Sequence, residues 1–115
     1  MNDSQLVIQS IEFSISIIKY YKWLRTEKHE YVLSKQLLKS ATSIGANIHE
    51  AKYAISKPDF ISKLQIALKE ASETEYWTLL LEKTELLPKA YCNLPEKCGS
   101  LKKMLITSLK TLKDT

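Results

Sequence analysis

Apolar residues recur every three or four positions along most of this chain. Leu33, Leu37, Ala41, Ile44, Ile48, Ala51 and Ile55 keep that spacing, and so do Leu101, Leu105, Leu109 and Leu112 after Leu94. A period near 3.6 gathers such residues on one side of an α-helix, which then has a face to bury. Ser56-Lys57-Pro58-Asp59 reads as a helix start: a serine that can cap, a proline in the first turn, and an acid three residues after the cap. Asn93-Leu94-Pro95-Glu96 repeats the signal, and Pro88 halts the helix before it. Helices are therefore expected at about 3–24, 31–55, 57–87 and 94–113, with the polar stretch 25–30 as a connection. Two glycines and three prolines leave little punctuation for a sheet. Short connections favour antiparallel neighbours, so the expected fold is all-α, an antiparallel up-down-up-down four-helix bundle forming a single domain over residues 1–115.

Two of these helices carry more apolar surface than one face. In the first, Ile8, Ile11, Ile15 and Ile18 form one stripe, and Leu6, Phe13, Ile17, Tyr20 and Leu24 form another. At about 100° per residue the stripes point in nearly opposite directions. A narrow polar strip of Gln5, Gln9, Glu12, Ser16 and Lys19 lies between them. In the third helix Phe60, Leu64, Ala67, Leu68, Ala71 and Leu79 face one way. Ile66, Trp77 and Leu80 lie on another flank beside Glu70 and Glu73. A bundle covers one arc of each helix, so the second arc calls for another copy of the chain. A homo-oligomer is expected, with Leu6, Phe13, Ile17, Tyr20, Leu24, Ile66 and Trp77 as its interface. Deeper burial of the first helix within one copy is the alternative.

The stretch SIGANIHEA, residues 43–51, places glycine, asparagine and histidine inside a predicted helix, where each lowers helical stability. Gln36, Ser40, Ser43, Asn47, Glu50 and Ala54 run beside the apolar stripe, and Ala41, Gly45 and Ala46 remove bulk nearby. Small residues let another helix approach, and polar groups deprived of water need partners. The expectation is an interhelical polar seam of Gln36, Ser43, Asn47 and Glu50 with Glu70 and Glu73, fixing register. A binding role for the row is the second reading.

The formal charge is +4, from 17 basic and 13 acidic residues; every basic residue except Arg25 is lysine. Residues 1–57 hold eight basic and five acidic groups, residues 58–87 three and six, and residues 88–115 six and two. Lysine gives a diffuse positive field without the bidentate fork of arginine. Lys19, Lys22, Arg25 and Lys28 lead out of the first helix, and Lys97, Lys102, Lys103, Lys110 and Lys113 line the fourth. These are the candidate nucleic-acid-binding residues, their contacts mainly electrostatic. Tyr20, Tyr21 and Trp23 interleave with Lys19 and Lys22 and could stack bases, although packing is the commoner use of such rings.

Catalytic and cofactor chemistry finds little to build from. Neither His29 nor His49 follows a glutamate by three residues, as a di-iron bundle requires, and no phosphate-cradling glycine loop, GxSxG or HExxH is present. Glu70 and Glu73 could form a carboxylate pair, yet acids on a helix are usually structural or solvated. Catalytic residues, metal and cofactor are each expected to be none. Cys92 and Cys98, separated by five residues, match neither a redox pair nor half a zinc site, and are expected reduced and partly buried. No apolar run spans a membrane and the N-terminus has no secretory pattern, so a cytoplasmic location is expected.

Gln36, SIGANIHEA, Ser56 and the segment DFISKLQIALKEASETEYWTLLL over residues 59–81 resemble the bacterial four-helix-bundle family of 23S rRNA intervening-sequence proteins. Ala51 stands where many relatives carry glycine, and Lys35 and Lys39 replace arginines common near the start of the second helix. The resemblance implies a pentameric, ring-like assembly of bundles without catalytic activity. It also implies a link to RNA, because relatives are encoded within large-subunit rRNA genes. The accessory variability determinant of diversity-generating retroelements is similar; it assists a reverse transcriptase and binds nucleic acid through a basic surface. The expected function is thus a non-enzymatic, oligomeric protein that binds RNA or DNA, or a ribonucleoprotein partner. An adaptor for a protein such as a polymerase, with no nucleic-acid contact, is the alternative.

Overall fold

A computed structural model describes residues 3–114, with side chains from Gln5 onward. Four helices, α1 (Asp3–Glu27), α2 (Leu33–Ala51), α3 (Lys57–Lys83) and α4 (Leu94–Lys113), pack side by side, with a 3₁₀ turn at Lys89–Tyr91. The extents are 47 × 21 × 20 Å. Each helix packs against the ones before and after it, and α4 closes on α1, so α1 and α3 occupy opposite corners. Ser40 meets Thr74 while Glu50 meets Lys63, so α2 and α3 run in opposite directions. No strand occurs among the described residues. The expected antiparallel four-helix bundle is the observed fold.

Helix ends follow local chemistry. At α3, Ser56 Oγ accepts the Asp59 N–H at 3.1 Å and Asp59 Oδ2 accepts the Ile55 N–H at 3.1 Å, a reciprocal cap with Pro58 inside the first turn. At α2 the cap is Glu30, whose carboxylate takes the N–H groups of Val32, Leu33 and Ser34 at 2.9, 2.8 and 2.7 Å. These donors have no partner within the helix, and a negative charge there also suits the helix dipole. The helix accordingly starts at Leu33, two residues later than expected.

Three other boundaries differ from expectation. α1 continues through Arg25, Thr26 and Glu27 until His29 turns to φ 52°. α2 ends at Ala51, four residues early, because Tyr53 and Ala54 tighten onto the Glu50 and Ala51 carbonyls at 3.0 and 3.1 Å. α3 ends at Lys83, and a turn follows in which Glu85 sits at φ 61° and Leu86 donates to the Leu81 carbonyl at 2.8 Å.

The core corrects the expected division of α1. Leu6, Phe13, Ile17, Tyr20 and Leu24 point inward and are buried within one copy, so they cannot be an oligomer interface. Ile8, Ile11, Ile15 and Ile18 form the outward stripe. Two contacts set this rotation. The Tyr20 hydroxyl donates to the Leu86 carbonyl at 2.6 Å, which a buried phenol needs. On the next flank Ser10 and Ser14 face Gly45 of α2, where an added Cβ would lie 3.5 and 3.4 Å from their hydroxyls. The glycine of SIGANIHEA thus marks the close approach of α1 to α2.

Candidate nucleic-acid interface

The predicted basic residues do not converge into one cradle. Lys19 and Lys22 are exposed on the outer side of α1. Arg25 is held between two rings, its guanidinium carbon 5.3 Å from the Tyr21 centroid and 5.1 Å from that of Tyr31. Lys28 lies 5.5 Å over Trp23. Cations over ring faces are stabilised without losing their charge, so the end of α1 presents a positive group of residues at the bundle tip.

The rings sort by accessibility. Tyr20, Trp23 and Tyr91 form a cluster, with Tyr20–Tyr91 centroids 5.0 Å apart and Trp23–Tyr91 centroids 6.0 Å apart. Tyr20 is completely buried and cannot stack on a base, which removes it from the expected set. Burial, with a smaller contribution from nearby Glu30, pushes its phenol well above the usual tyrosine range. Trp23, Tyr21 and Tyr91 remain half-buried, and Tyr31 is exposed with its hydroxyl 3.1 Å from His29 Nδ1.

On α4, Lys103 and Lys110 lie seven residues apart, a spacing that puts them on one face, and both are exposed, as is Lys113. Lys97 borders an open groove of about 370 Å³ between α1 and α4, opposite Gln9 and Glu12. Lys102 behaves differently. It is half-buried and pairs with Glu75 of α3 at 2.8 Å, so it joins two helices rather than facing a ligand. Among the described residues, Lys19, Lys22, Lys97, Lys103, Lys110 and Lys113 stand in no ion pair.

The expected polar seam is not assembled from the residues assigned to it. Gln36 is exposed; Ser43 donates to the Lys39 carbonyl and Asn47 to the Ser43 carbonyl, both within α2. Glu73 accepts from Trp77 on its own helix at 3.1 Å, while Glu70 lends its backbone carbonyl to Thr74. Only Glu50 crosses, to Lys63 at 3.9 Å, and over half of its side chain is exposed. The buried interhelical pair is Ser40 with Thr74, hydroxyl to hydroxyl at 2.9 Å. Its sequence signal is faint: Thr74 and Thr78 continue the inward row of Ala67 and Ala71 at helical spacing.

Cys98 is buried, its thiol donates to the Ala71 carbonyl at 3.4 Å, and Cys92 is exposed rather than partly buried. Burial first, then Glu75, pushes the Cys98 thiol up to about 12 against the opposing pull of Lys102. No group of three His, Cys, Asp or Glu among the described residues could hold a metal, and no described helix is long and apolar enough to cross a membrane.

An all-helical bundle with a lysine-studded exterior is therefore the class that fold and surface define. The chain belongs to the 23S rRNA-intervening sequence protein family, whose model matches residues 2–107. Its structure is similar to a crystal structure from Bacteroides thetaiotaomicron, that of a protein with unknown function from the S23 ribosomal protein family. The two share 48% identity and a TM-score of 0.91, covering 96% of this chain and 99% of that one. No curated protein matches this chain.

Proposed function

We propose that this protein is a non-enzymatic, cytoplasmic homo-oligomer that binds nucleic acid, RNA in particular, through charge. The observation that carries the reading is the set of exposed lysines without carboxylate partners, foremost Lys103 and Lys110 on α4 and Lys19 and Lys22 on α1. Each such lysine that meets a phosphate releases condensed counterions, which favours binding without selecting a sequence. Repeating a +4 chain around an assembly multiplies the field, and the family resemblance implies five copies in a ring. The family's link to rRNA genes supports RNA over DNA as the partner.

The test is charge reversal away from structural contacts. Lys103→Glu with Lys110→Glu should weaken binding to a single-stranded or structured RNA by about tenfold or more at low salt, with helicity unchanged. Equal affinity in the variant would remove these residues from the interface and favour an adaptor that meets a protein partner. Lys102→Glu is unsuitable for this purpose, because it would set a second acid against Glu75.

A further inference from the structure

The only arginine in the chain is held by two rings at one end of the bundle. Arg25 Cζ lies 5.3 Å from the Tyr21 centroid and 5.1 Å from that of Tyr31. Tyr21 comes four residues earlier, on the same face of α1. Tyr31 arrives from beyond the helix end, because His29 at φ 52° turns the chain back, and its hydroxyl lies 3.1 Å from His29 Nδ1. Ring contacts use the faces of a guanidinium, whereas its N–H donors lie in its plane and stay unspent. The rings have thus already ordered the fork, which lowers the cost of ordering it on binding.

The charge of this fork is also uncompensated. Among the described residues no carboxylate pairs with Arg25. Glu27, two residues on, is turned about 200° away around the helix. Glu30 has both oxygens committed to the N–H groups of Val32, Leu33 and Ser34. Lys22 and Lys28 stand one turn before and one turn after Arg25, and both are exposed. A guanidinium edge flanked by two ammonium groups matches the oxygens of a phosphate, which the fork takes in a bidentate pair. Beside it the Tyr31 ring is 49% exposed. An open ring next to a phosphate fork suits an unpaired base, since the bases of a duplex are already stacked on one another.

We propose that the bundle tip at Arg25 is a site for an unpaired nucleotide of single-stranded RNA, its phosphate on the Arg25 fork between Lys22 and Lys28 and its base on the Tyr31 ring. The site rests on the nucleic-acid reading above and adds a preference that charge alone does not give. The lysines of α4 neutralise phosphates of any strand, paired or not. Tyr31 selects the unpaired one.

Fluorescence anisotropy of labelled oligoadenylate, alone and annealed to oligouridylate, tests it at low salt, with circular dichroism as the check on helicity. The unaltered chain should bind the single strand more tightly than the duplex. Arg25→Lys keeps the charge and loses the fork; it should weaken single-strand binding about tenfold and leave the salt slope unchanged. Tyr31→Leu should weaken single-strand binding about fivefold or more and leave duplex affinity as it was. Tyr31→Trp, which returns a ring, should recover that loss. Lys103→Glu with Lys110→Glu should instead weaken both forms and flatten the salt slope. Full single-strand affinity in both Arg25→Lys and Tyr31→Leu, beside a loss in the lysine variant, would overturn the tip site alone. Equal affinity of the unaltered chain for single strand and duplex would overturn it too, as would an equal loss for both forms in Tyr31→Leu. An unaltered chain that binds neither form would overturn both the site and the nucleic-acid reading.

Discussion

Tyr20 and Leu86, sixty-six residues apart in sequence, are joined by a 2.6 Å hydrogen bond from the buried phenol to the backbone carbonyl. The bond ties the last third of α1 to the turn that follows α3, and it decides which apolar stripe of α1 enters the core. Tyr20→Phe leaves the ring in place but strands the Leu86 carbonyl, so it should cost about 1–3 kcal/mol in urea unfolding. It should also make Leu86–Pro88 more accessible to protease.

Tyr20 and Cys98 are both acids whose folded-state ionisation lies above its ordinary range, Cys98 moving from 9.0 to about 12. The neutral forms are the ones favoured by folding. Their contribution is fully present below the unfolded-state value and is lost as pH rises toward the folded-state value. Stability should hold through neutral pH and fall between about pH 9 and 12. Cys98→Ala should flatten the first part of that fall, and Tyr20→Phe the part above the ordinary tyrosine range. Identical alkaline profiles for the unaltered chain and both variants would contradict the assignment.

The two thiols should separate in a reaction with an aromatic disulfide at pH 8. Cys92 is exposed and should react at once, whereas Cys98 should react only on unfolding. Two fast equivalents would show that α4 opens readily from α3.

At Gly45 an added methyl would meet Ser14 and Ser10 at 3.4 and 3.5 Å, which is ordinary contact. Alanine in place of a helical glycine gains up to about 1 kcal/mol, so Gly45→Ala should be neutral or slightly stabilising by thermal unfolding. Gly45→Leu should instead force α1 from α2 and cost about 2 kcal/mol or more, as overpacking does.

Ser40→Ala removes half of the one buried hydroxyl pair between α2 and α3. Thr74 keeps its bond to the Glu70 carbonyl at 2.8 Å, so no buried donor is orphaned. The loss should be about 1 kcal/mol, and combining it with Thr74→Val should cost less than the sum of the two single changes.

The sequence made α2 and α4 legible because each has a single apolar stripe, and the cap at Ser56 announced the start of α3. It pointed to the wrong stripe of α1: Leu6, Phe13, Ile17, Tyr20 and Leu24, expected at an oligomer interface, are buried, because Ile8–Ile18 and Leu6–Leu24 are similarly apolar and which of them turns inward depends on Leu86 and Gly45, far away in sequence. The Glu30 cap has no sequence signal of its own, because a glutamate ahead of Tyr31-Val32 looks like part of a polar connection. Asn47 and Glu50 read as seam residues from spacing alone, yet α2 is rotated so that the smaller Ser40 faces Thr74. Among the lysines, charge was legible and partnership was not: Lys102 differs from Lys103 only in pointing at Glu75.

The central claim is that exposed lysines bind RNA phosphates, and its most direct measurement is the affinity of the unaltered protein for RNA across a salt series. A plot of log affinity against log salt should fall steeply, by a slope of several units if several phosphates are neutralised per assembly. A flat line, or no binding at 50 mM salt, would contradict it.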